Sequence, residues 1–329
     1  MGRAETGGAL GEGSLRAALI PRHGPPEVLE VRDVALPKIG KHDVLVRVCF
    51  SSVNPVDCYL RHGGLRRFAH LPLPIIPGVD IAGIVERIGP NVREFRAGDE
   101  VFGFIPRGTG ACAEFAGCRG DWLARKPAAL SECEAAVLPC VALTALQALR
   151  DKARLRSGES VLIIGASGGV GTVAVQIAQA LGLEVTAVCS THNIELARRL
   201  GATRVIDYTK QDLLCEQQEF DAVFDCIGTN RFWRYRKLLS HRGRHVGISC
   251  KRVAFLDSAI SYLLPGRRSF QFHVKAQRAD LDQLAEWVRE GKLRPIVSQV
   301  LPLEKIAEAH RLSETRRTVG KIAIAIQQF

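Results

Sequence analysis

Hydrophobic and polar positions follow one pattern in the first part of the chain. Between residues 14 and 130, short apolar runs such as Val44–Val48 and Ile81–Val85 alternate with glycine and proline, and helical periodicity is weak. This pattern favours short antiparallel strands in a barrel-like arrangement. The proline-rich stretch 71–78 is predicted to be irregular, because proline has no N–H to donate to a strand ladder.

A second pattern begins at residue 131, where strand-like and helical runs alternate. Ser131 precedes two acids, as expected of a residue that caps a helix N-terminus. The runs predict strands at Val161–Ile164, Val185–Cys189, Val205–Ile206, Ala222–Cys226 and His245–Ile248, and helices near 170–181, 193–200 and 231–240. Gly182, Gly201 and Gly243 stand where helices are expected to end. Such alternation predicts an α/β unit whose parallel sheet is covered on both faces.

The two ends of the chain differ from this middle part. Residues 1–13 are rich in glycine and are predicted to be flexible. Near the other end, a helix over Leu303–Leu312 is followed by a strand over Ile322–Ile326. A chain of 329 residues is long enough for two domains, since single cores rarely grow beyond about 250 residues.

The formal net charge of +11 raises the possibility of a polyanionic partner. The densest basic clusters are only pairs, at Arg242/Arg244, Arg267/Arg268 and Arg316/Arg317, and no zinc-finger spacing is present. The interpretation is a basic globular protein that is not expected to bind nucleic acid.

The ten cysteines form no Cys-x-x-Cys pair, and several lie in apolar runs where a buried thiol is expected. A reducing compartment is therefore predicted. No apolar run reaches the roughly 20 residues that a membrane span needs. The start of the chain lacks a secretory pattern and favours the cytoplasm.

The most informative motif is the glycine turn of residues 165–171. Its residues are Gly165, Ala166, Ser167, Gly168, Gly169, Val170 and Gly171, placed between an apolar strand and an amphipathic helix. Glycine lets a backbone approach a pyrophosphate closely, and the helix N-terminus offers free N–H groups. The motif predicts nucleotide binding. The alternative is a tight strand–helix turn in which glycine serves packing alone.

The residues at the end of the second predicted strand indicate whether the site prefers NADH or NADPH. An NAD site would place an acid there to bind the ribose hydroxyls, but this chain has Ser190 and Thr191. Small hydroxyl residues leave room for a 2′-phosphate, and Tyr208 stands where it can cover that group. NADPH is the predicted cofactor. In the alternative interpretation, Ser190 and Thr191 only cap the next helix.

Taken with these features, the chain resembles the quinone oxidoreductase (zeta-crystallin-like) branch of the medium-chain dehydrogenase/reductases. The resemblance runs from about Leu15 to Ile326. It is carried by the motifs Gly24–Leu29, Asn54–Asp57, Pro77–Gly83, Gly98–Val101 and Ala166–Gly171. The stretches Val185–Ser190 and Gly291–Pro295 look closest to the reticulon-interacting mitochondrial oxidoreductases, which makes a mitochondrial location the alternative.

The resemblance implies a GroES-like β-barrel catalytic domain over 14–130, completed by 300–329, and a Rossmann NADPH-binding domain with a doubly wound parallel sheet over 131–299. A cleft between the domains and a possible homodimer are also implied. By resemblance, Thr144 lies near the site of hydride transfer, and Gly228 and Arg316 are further expected cofactor contacts.

Zinc alcohol dehydrogenases share this architecture, so the ligand positions must be compared. Asn54 stands where they have a cysteine, and Val79 where they have a histidine. Cys140 falls near their third ligand position, but one thiolate cannot hold a catalytic zinc, which needs about three protein ligands. The protein is therefore predicted to contain no metal.

Without zinc, the resemblance implies a reductase that transfers hydride from NADPH to a quinone or an α,β-unsaturated carbonyl compound. Asn54, Asp57 and Tyr59 are the candidate catalytic residues. The Asn54 amide or the Tyr59 hydroxyl can donate a hydrogen bond to the substrate oxygen. In the alternative interpretation, Asn54 forms a turn and Asp57 only braces the loop. A nucleotide-binding scaffold with vestigial catalysis is the other function that stays open.

Overall fold

A computed structural model of the protein describes residues 14–64, 72–106, 110–228, 231–248 and 252–327. The strands are β1 (Ser14–Leu19), β2 (Glu30–Ala35), β3 (Asp43–Val53), β4 (Asp80–Ile88), β5 (Glu100–Phe104), β6 (Phe115–Arg119), β7 (Leu123–Arg125), β8 (Ser160–Ile164), β9 (Glu184–Cys189), β10 (Arg204–Asp207), β11 (Phe220–Asp225), β12 (Leu239–Gly247), β13 (Arg268–Gln271), β14 (Val297–Pro302) and β15 (Lys321–Ala325). The α-helices are α1 (Pro55–Arg61), α2 (Glu132–Val137), α3 (Pro139–Leu146), α4 (Gly169–Ala180), α5 (Ile194–Arg199), α6 (Phe232–Tyr235), α7 (Arg252–Leu263), α8 (Arg278–Arg289) and α9 (Ile306–Glu314).

The middle of the chain forms a six-stranded parallel sheet in the order β10-β9-β8-β11-β12-β13. Alternate residues of β8 point to opposite faces: Val161 and Ile163 pack into one core, Leu162 and Ile164 into another. The sheet is therefore covered on both faces, as the alternating pattern predicts. The order is that of a doubly wound dinucleotide-binding fold.

The remaining long strands form a seven-stranded sheet in the order β14-β15-β3-β4-β5-β7, with β6 paired to β3. All pairs are antiparallel except β14 with β15. The last strand, β15, lies between β14 and β3, with Ile322 opposite Val53. Residues from both ends of the described chain thus share one core, which includes Val46, Ile81 and Ile322.

Helix α2 begins at the predicted cap. The Glu134 N–H donates to Ser131 Oγ at 3.2 Å, and the Ser131 N–H donates to Glu134 Oε2 at 3.0 Å. This reciprocal pair is a capping box. The predicted strand over Ile322–Ile326 is confirmed as β15, and the predicted helix ends at Gly182 and Gly201 are confirmed by left-handed φ values of +74° and +108°.

The prediction of a helix over 231–240 is wrong in its second half. Helix α6 and a 3-10 turn end at Leu238, and β12 begins at Leu239. Gly243 lies inside this strand and does not end a helix. The pairing of β12 with β11 shifts its register near Gly243, where an added Cβ would lie 2.8 Å from Leu239 Cβ. Glycine is needed at this irregularity because any larger residue would clash.

The two large sheets meet around the start of α4. Gly168 and Gly320 form an isolated parallel bridge, in which the Gly320 N–H donates to the Ser167 carbonyl at 2.9 Å. Helix α2 packs against β3, β4 and β15, and α3 packs against α4. The glycine turn is thereby held against the segment that enters β15. Among the described residues, no helix is both long and apolar enough to cross a bilayer.

Candidate active site

Two glycines of the turn between β8 and α4 are required by its own geometry. Gly165 has a φ of +79°, and an added Cβ would lie 2.7 Å from Ile227 Cγ1. A Cβ at Gly171 would lie 2.1 Å from the Gly165 carbonyl oxygen. Ala166, between them, is fully buried. At these positions the packing interpretation of the motif is sufficient.

Gly168 is different, because the protein itself leaves space beside it. Its backbone is extended, and the atom nearest to an added Cβ is the Gly165 carbonyl oxygen at 3.5 Å. The first hydrogen bond of α4 runs from the Thr172 N–H to the Gly168 carbonyl at 2.9 Å. The N–H groups of residues 169–171, with Val170 among them, precede that bond and have no carbonyl of their own helix to reach. The start of this 12-residue helix is suited to an anionic group.

Gly169 lies against the side chain of Lys321. An added Cβ at Gly169 would lie 2.8 Å from Lys321 Cδ and 3.4 Å from the Gly320 carbonyl oxygen. The segment that enters β15 therefore covers one side of the turn and brings a cation to it.

The ammonium group of Lys321 is buried beside the first sheet. It donates to the Val53 carbonyl at 2.7 Å and to Asn54 Oδ1 at 2.6 Å, and it lies 3.7 Å from Asp80 Oδ2. Only 7% of the Lys321 side chain is exposed. Lys321 was not singled out in the sequence, because a lysine before an apolar strand carries no spacing signal.

Asp80 is the anionic partner in this network. Its Oδ2 accepts hydrogen bonds from Ser52 Oγ at 2.6 Å and Asn54 Nδ2 at 2.9 Å, and its Oδ1 accepts from the Cys140 N–H at 2.7 Å. The carboxylate is completely buried. A buried charge is tolerated when it is paired and fully hydrogen-bonded, as it is here.

The structure places Asn54 inside the same network. Its amide nitrogen donates to Asp80 and also faces Ser52 Oγ at 3.3 Å, while its oxygen accepts from Lys321. Only 2% of Asn54 is exposed. Both ends of its side chain are therefore occupied by protein partners.

Asp57 braces two segments of backbone. Its Oδ2 accepts from the Asn54 N–H at 2.8 Å and its Oδ1 from the Gly78 N–H at 3.1 Å. Burial raises the pKa of the Asp57 carboxyl to about 7, against the opposing effect of these two hydrogen bonds. This arrangement matches the bracing role that the sequence left open.

Tyr59 and Thr144 differ in how their hydroxyls are used. The Tyr59 ring packs over Gly64, where an added Cβ would lie 2.3 Å from the ring. Across the described ranges, no residue forms a hydrogen bond with the Tyr59 hydroxyl, and the side chain is partly exposed. Thr144 Oγ1, in contrast, donates to the Cys140 carbonyl at 2.6 Å.

The donor set around Asn54 does not suit zinc. Burial raises the pKa of the Cys140 thiol well above its usual value, which disfavours the thiolate that zinc requires. Within the part of the chain that the structure describes, no group of three His, Cys, Asp or Glu side chains is close enough to hold a metal ion. Every described cysteine is a free thiol.

At the far end of the parallel sheet, Ser190 lies near an acid, Asp207, that the pattern at the end of the second strand does not predict. Asp207, at the end of β10, accepts hydrogen bonds from Thr191 Oγ1 at 2.5 Å and Thr209 Oγ1 at 2.7 Å. These hydrogen bonds lower the pKa of Asp207. Ser190 Oγ accepts from Asn193 Nδ2 at 3.1 Å, and 58% of Tyr208 is exposed. The acid comes from the third strand of this fold, so a search at the end of the second strand misses it.

Two further predicted cofactor contacts lie in different surroundings. Gly228 has a φ of +67°, and its N–H donates to the buried Asp225 carboxylate at 3.0 Å in the loop after β11. Arg316 follows α9 with a φ of +56° and is exposed. Within the described ranges, no hydrogen bond or ion pair joins its side chain to another residue. The structure therefore connects the glycine turn, Lys321 and Asn54, but it does not connect Arg316 with them.

Two family profiles match the chain. The profile of the alcohol dehydrogenase GroES-like domain matches residues 40–128, and that of the zinc-binding dehydrogenases matches residues 200–324. Together they cover parts of both large sheets.

Known proteins are similar over nearly the whole length. The quinone oxidoreductase of Mus musculus is 35% identical over 321 residues, which covers 92% of this chain and 95% of the mouse protein. The NADPH-dependent alkenal/one oxidoreductase of Arabidopsis thaliana chloroplasts is 30% identical over 322 residues, which covers 94% of this chain and 79% of that protein.

A solved structure agrees with this result. The quinone oxidoreductase from Coxiella burnetii superimposes with a TM-score of 0.88 at 30% sequence identity, covering 96% of this chain and 100% of the other. The match, together with the GroES-like profile, confirms the fold class predicted from the sequence.

Proposed function

We propose that this chain, which belongs to the quinone oxidoreductase branch of the medium-chain dehydrogenase/reductases, reduces quinones or α,β-unsaturated carbonyl compounds with NADPH and without zinc. The observation that carries the proposal is the contact between Gly169 and Lys321. This contact supports the proposal because it brings the glycine turn, to which we assign phosphate binding, directly beside the buried polar network of Asn54 and Asp80. Relatives named for quinone and alkenal reduction support this choice of substrate classes.

The turn fits the diphosphate of a dinucleotide. Residues 169–171 offer N–H groups at a helix N-terminus, and the open space beside Gly168 admits a close approach. When bound, NADPH supplies the hydride, and the protein supplies position and electrostatic field. We place Thr144 near the site of hydride transfer, as the resemblance implies, and Ser190 and Tyr208 toward the adenosine end. Gly228 is proposed as a further cofactor contact.

We propose that the site prefers NADPH, although Asp207 lies near Ser190 and an acid at such a position can bind the ribose hydroxyls of NADH. The Asp207 carboxylate is occupied by the hydroxyls of Thr191 and Thr209, which leaves it less available to ribose hydroxyls. Exposed Tyr208 can cover a 2′-phosphate. Arg316, exposed after α9, is proposed as a further cofactor contact.

Among the candidate catalytic residues, we assign the substrate contact to Tyr59. Its hydroxyl can donate a hydrogen bond to the substrate oxygen and then a proton to the reduced product. Asn54 and Asp57 are proposed to act as positioning residues, because their polar atoms are engaged by Lys321, Asp80, Ser52 and backbone N–H groups. The reduced substrate thus gains one hydride and one proton.

We also propose the division into a catalytic domain, 14–130 with 300–329, and a cofactor domain, 131–299. Pairing of β15 with β3 supports it. The free thiols suit a reducing compartment, either the cytoplasm or the mitochondrial matrix. A homodimer is proposed from the family resemblance, and light scattering on the purified protein tests it.

The proposed function is tested by NADPH oxidation with a panel of quinones and enones. We expect turnover with at least one of these classes, and Tyr59→Phe should lower kcat roughly 10-fold or more without changing NADPH affinity. Tyr262→Phe, at an exposed position of α7, is the matched control. Tight NADPH binding without turnover of any compound would instead favour the scaffold function.

A further inference from the structure

A buried glutamine, Gln147, binds the backbone of the loop that follows β13. Its Nε2 donates to the Lys275 carbonyl and its Oε1 accepts from the Lys275 N–H, both at 2.9 Å. Gln147 is 4% exposed, and the two residues are 128 positions apart along the chain. A side-chain amide offers both a donor and an acceptor, so it can pair with both backbone groups of one residue. Gln147 therefore takes the place that a neighbouring strand would have beside Lys275.

The buried acid Asp280, in the first turn of α8, completes this contact. Gln147 Nε2 also donates to Asp280 Oδ2 at 2.9 Å, and Arg150 Nη2 lies 2.8 Å from Asp280 Oδ1. A buried amide and a buried carboxylate are tolerated here because each has hydrogen-bond partners. The network joins three segments, which are the turn after α3, the loop over residues 272–277 and the start of α8.

A π-helix over Gln147–Lys152 continues α3. The Ala153 N–H donates to the Ala148 carbonyl at 2.8 Å, which is the five-residue spacing of a π-helix. Such turns are rare and are frequent at functional sites. The last residue of this turn also contacts the loop, since its ammonium group lies 5.8 Å from the centre of the Phe272 ring. The π-helix thus contacts the loop at two points.

The loop over residues 272–277 leaves the parallel sheet at the edge where we place the cofactor. Strands β8, β11, β12 and β13 are parallel neighbours, so the segments after their carboxyl ends lie along one edge. Ligands of open α/β sheets bind outside these carboxyl ends. The glycine turn follows β8, Ser190 follows β9 on one side of it, and the loop follows β13 on the other side. The loop therefore lies on the side of the glycine turn away from the proposed adenosine end.

The opposite end of α3 is joined to the polar network of Asp80, because the Cys140 N–H donates to Asp80 Oδ1 at 2.7 Å. Thr144, which we place near the site of hydride transfer, lies between the two ends. It is three residues before Gln147 and thus on the same side of the helix. Helix α3 is consequently held at one end by the polar network and at the other end by the loop.

We propose that Gln147 is a positioning residue for hydride transfer. It holds the loop over residues 272–277 at a fixed separation from Thr144, so that the nicotinamide ring is oriented between them. This inference rests on the proposed function and adds to it a residue that acts through the loop. Without the amide, the Lys275 backbone groups would have to find other partners, and the loop would move. The adenosine half of the cofactor would bind as before, because its contacts lie on the other side of the glycine turn.

Gln176 provides a matched control, because it forms the same kind of contact elsewhere. Its Nε2 donates to the Arg294 carbonyl and its Oε1 accepts from the Arg294 N–H, both at 2.9 Å. Gln176 is 9% exposed on α4, and the backbone that it binds precedes β14. Gln147→Met and Gln176→Met each replace a buried amide by an unbranched apolar side chain. Melting curves should show a similar loss of stability in both variants.

Binding of NADPH and of 2′,5′-ADP, which has the adenosine half without nicotinamide, tests the proposal by calorimetric titration. In Gln147→Met we expect NADPH to bind about 5-fold or more weakly than in the wild type, and 2′,5′-ADP to bind equally well. In Gln176→Met neither affinity should change. With a quinone or enone that the wild type reduces, kcat should fall roughly 10-fold or more in Gln147→Met and stay near the wild-type value in Gln176→Met.

The two binding measurements need no substrate, so they distinguish this inference from the proposed function. A wild type that reduces no quinone or enone contradicts the proposed function, while the affinity ratio of NADPH to 2′,5′-ADP still tests Gln147. The inference is overturned if folded Gln147→Met binds NADPH like the wild type, or if both affinities fall by the same factor. Equal changes of NADPH affinity in the two glutamine variants would also overturn it. If Gln147→Met does not fold, Gln147→Asn takes its place, because its shorter amide does not reach Lys275.

Discussion

The Lys321 ammonium group donates a 2.6 Å hydrogen bond to Asn54 Oδ1 and so joins the start of β15 to the start of α1. The same lysine compensates the buried charge of Asp80 and covers the glycine turn at Gly169. One side chain therefore links the cofactor turn to the polar network, and its replacement should affect both stability and catalysis.

We expect Lys321→Met to lower the free energy of unfolding by about 3 kcal/mol, because it leaves the Asp80 carboxylate buried without its cation. Adding Asp80→Asn should recover part of this loss, so the double variant should be more stable than the sum of the single effects. Urea denaturation measures the free energy of unfolding of the two single variants and of the double variant. Lys305→Met, at an exposed position, should change stability by less than about 0.5 kcal/mol. If the losses of stability in Lys321→Met and Asp80→Asn simply add in the double variant, the two charges do not stabilise each other and the prediction is wrong.

Substitutions at two glycines of the turn should have different effects, one on NADPH affinity and the other on stability. Gly168→Ala places a methyl group in space that the protein leaves open, so the protein should stay within about 1 kcal/mol of wild-type stability while NADPH affinity falls at least 10-fold. Gly171→Ala drives a methyl group into the Gly165 carbonyl and should cost at least about 2 kcal/mol of stability. Calorimetric titration and melting curves distinguish these results. Unchanged NADPH affinity in folded Gly168→Ala would show that the nucleotide binds elsewhere.

NADPH should bind at least 10-fold more tightly than NADH, a difference of about 1.4 kcal/mol. Ser190→Asp adds the acid that NAD sites carry, so it should weaken NADPH more than NADH. Fluorescence titration of each cofactor into the purified protein gives the ratio. Equal affinities in the wild type would mean that Asp207 binds the ribose despite its hydrogen bonds to Thr191 and Thr209.

The purified, active protein should contain no stoichiometric zinc, and chelator treatment should leave the reductase rate unchanged. The reason is the donor set: Asn54 and Val79 replace two ligands, and Cys140 is held as a thiol by burial. Elemental analysis measures the zinc content, and an activity assay compares the reductase rate before and after chelator treatment. One zinc per chain together with loss of activity on chelation would overturn the proposed mechanism.

Two buried histidines should make the protein sensitive to acid. Burial, with the nearby charges of Arg61 and His62, lowers the pKa of His310 to about 3, and burial lowers that of His245 to about 4. The unfolded chain binds these protons near pH 6.5, but the folded protein does not, so stability falls as the pH drops below that value.

For His310 alone the loss between pH 7.5 and 5 should be about 2 kcal/mol. In His310→Gln, which retains an acceptor for Arg61 Nη1, the pH dependence should be smaller by this amount. Urea denaturation at about pH 7.5 and about pH 5 measures the difference. Exposed His192→Gln should follow the wild-type pH profile, and an identical profile in His310→Gln would show that His310 binds its proton equally well in the folded and unfolded states.

The sequence was sufficient for features that depend on local pattern. Strand runs such as Val161–Ile164, the cap at Ser131 and the glycine turn each have a signal within a few residues. The site was harder to predict, because its partners come together only through the fold. Asp80, Asn54 and Lys321 are far apart in sequence, and no spacing rule connects them.

Two other features escaped the sequence for different reasons. Along the sequence the basic residues of 231–268 are scattered and form only short clusters, and only the fold brings α6, α7 and β12 together. The orientation of α7, which buries Asp257 and Ser261, depends on hydrogen bonds between these residues and side chains and backbone of other elements. A periodic pattern shows that a helix has two faces, but it does not show which face is turned inward when polar partners are available there.

The position of β15 between β14 and β3 has a consequence for biosynthesis. Lys321 and its partner Val53 are 268 positions apart, so the ribosome synthesises β3 long before its neighbour in the sheet. Until β15 emerges, one edge of β3 has unpaired backbone groups and an apolar face that no later strand yet covers. The parallel sheet, made of consecutive segments, can form during that interval. We therefore expect nascent chains truncated before β15 to hold a protease-resistant cofactor unit while the segment around β3 remains open to chaperones.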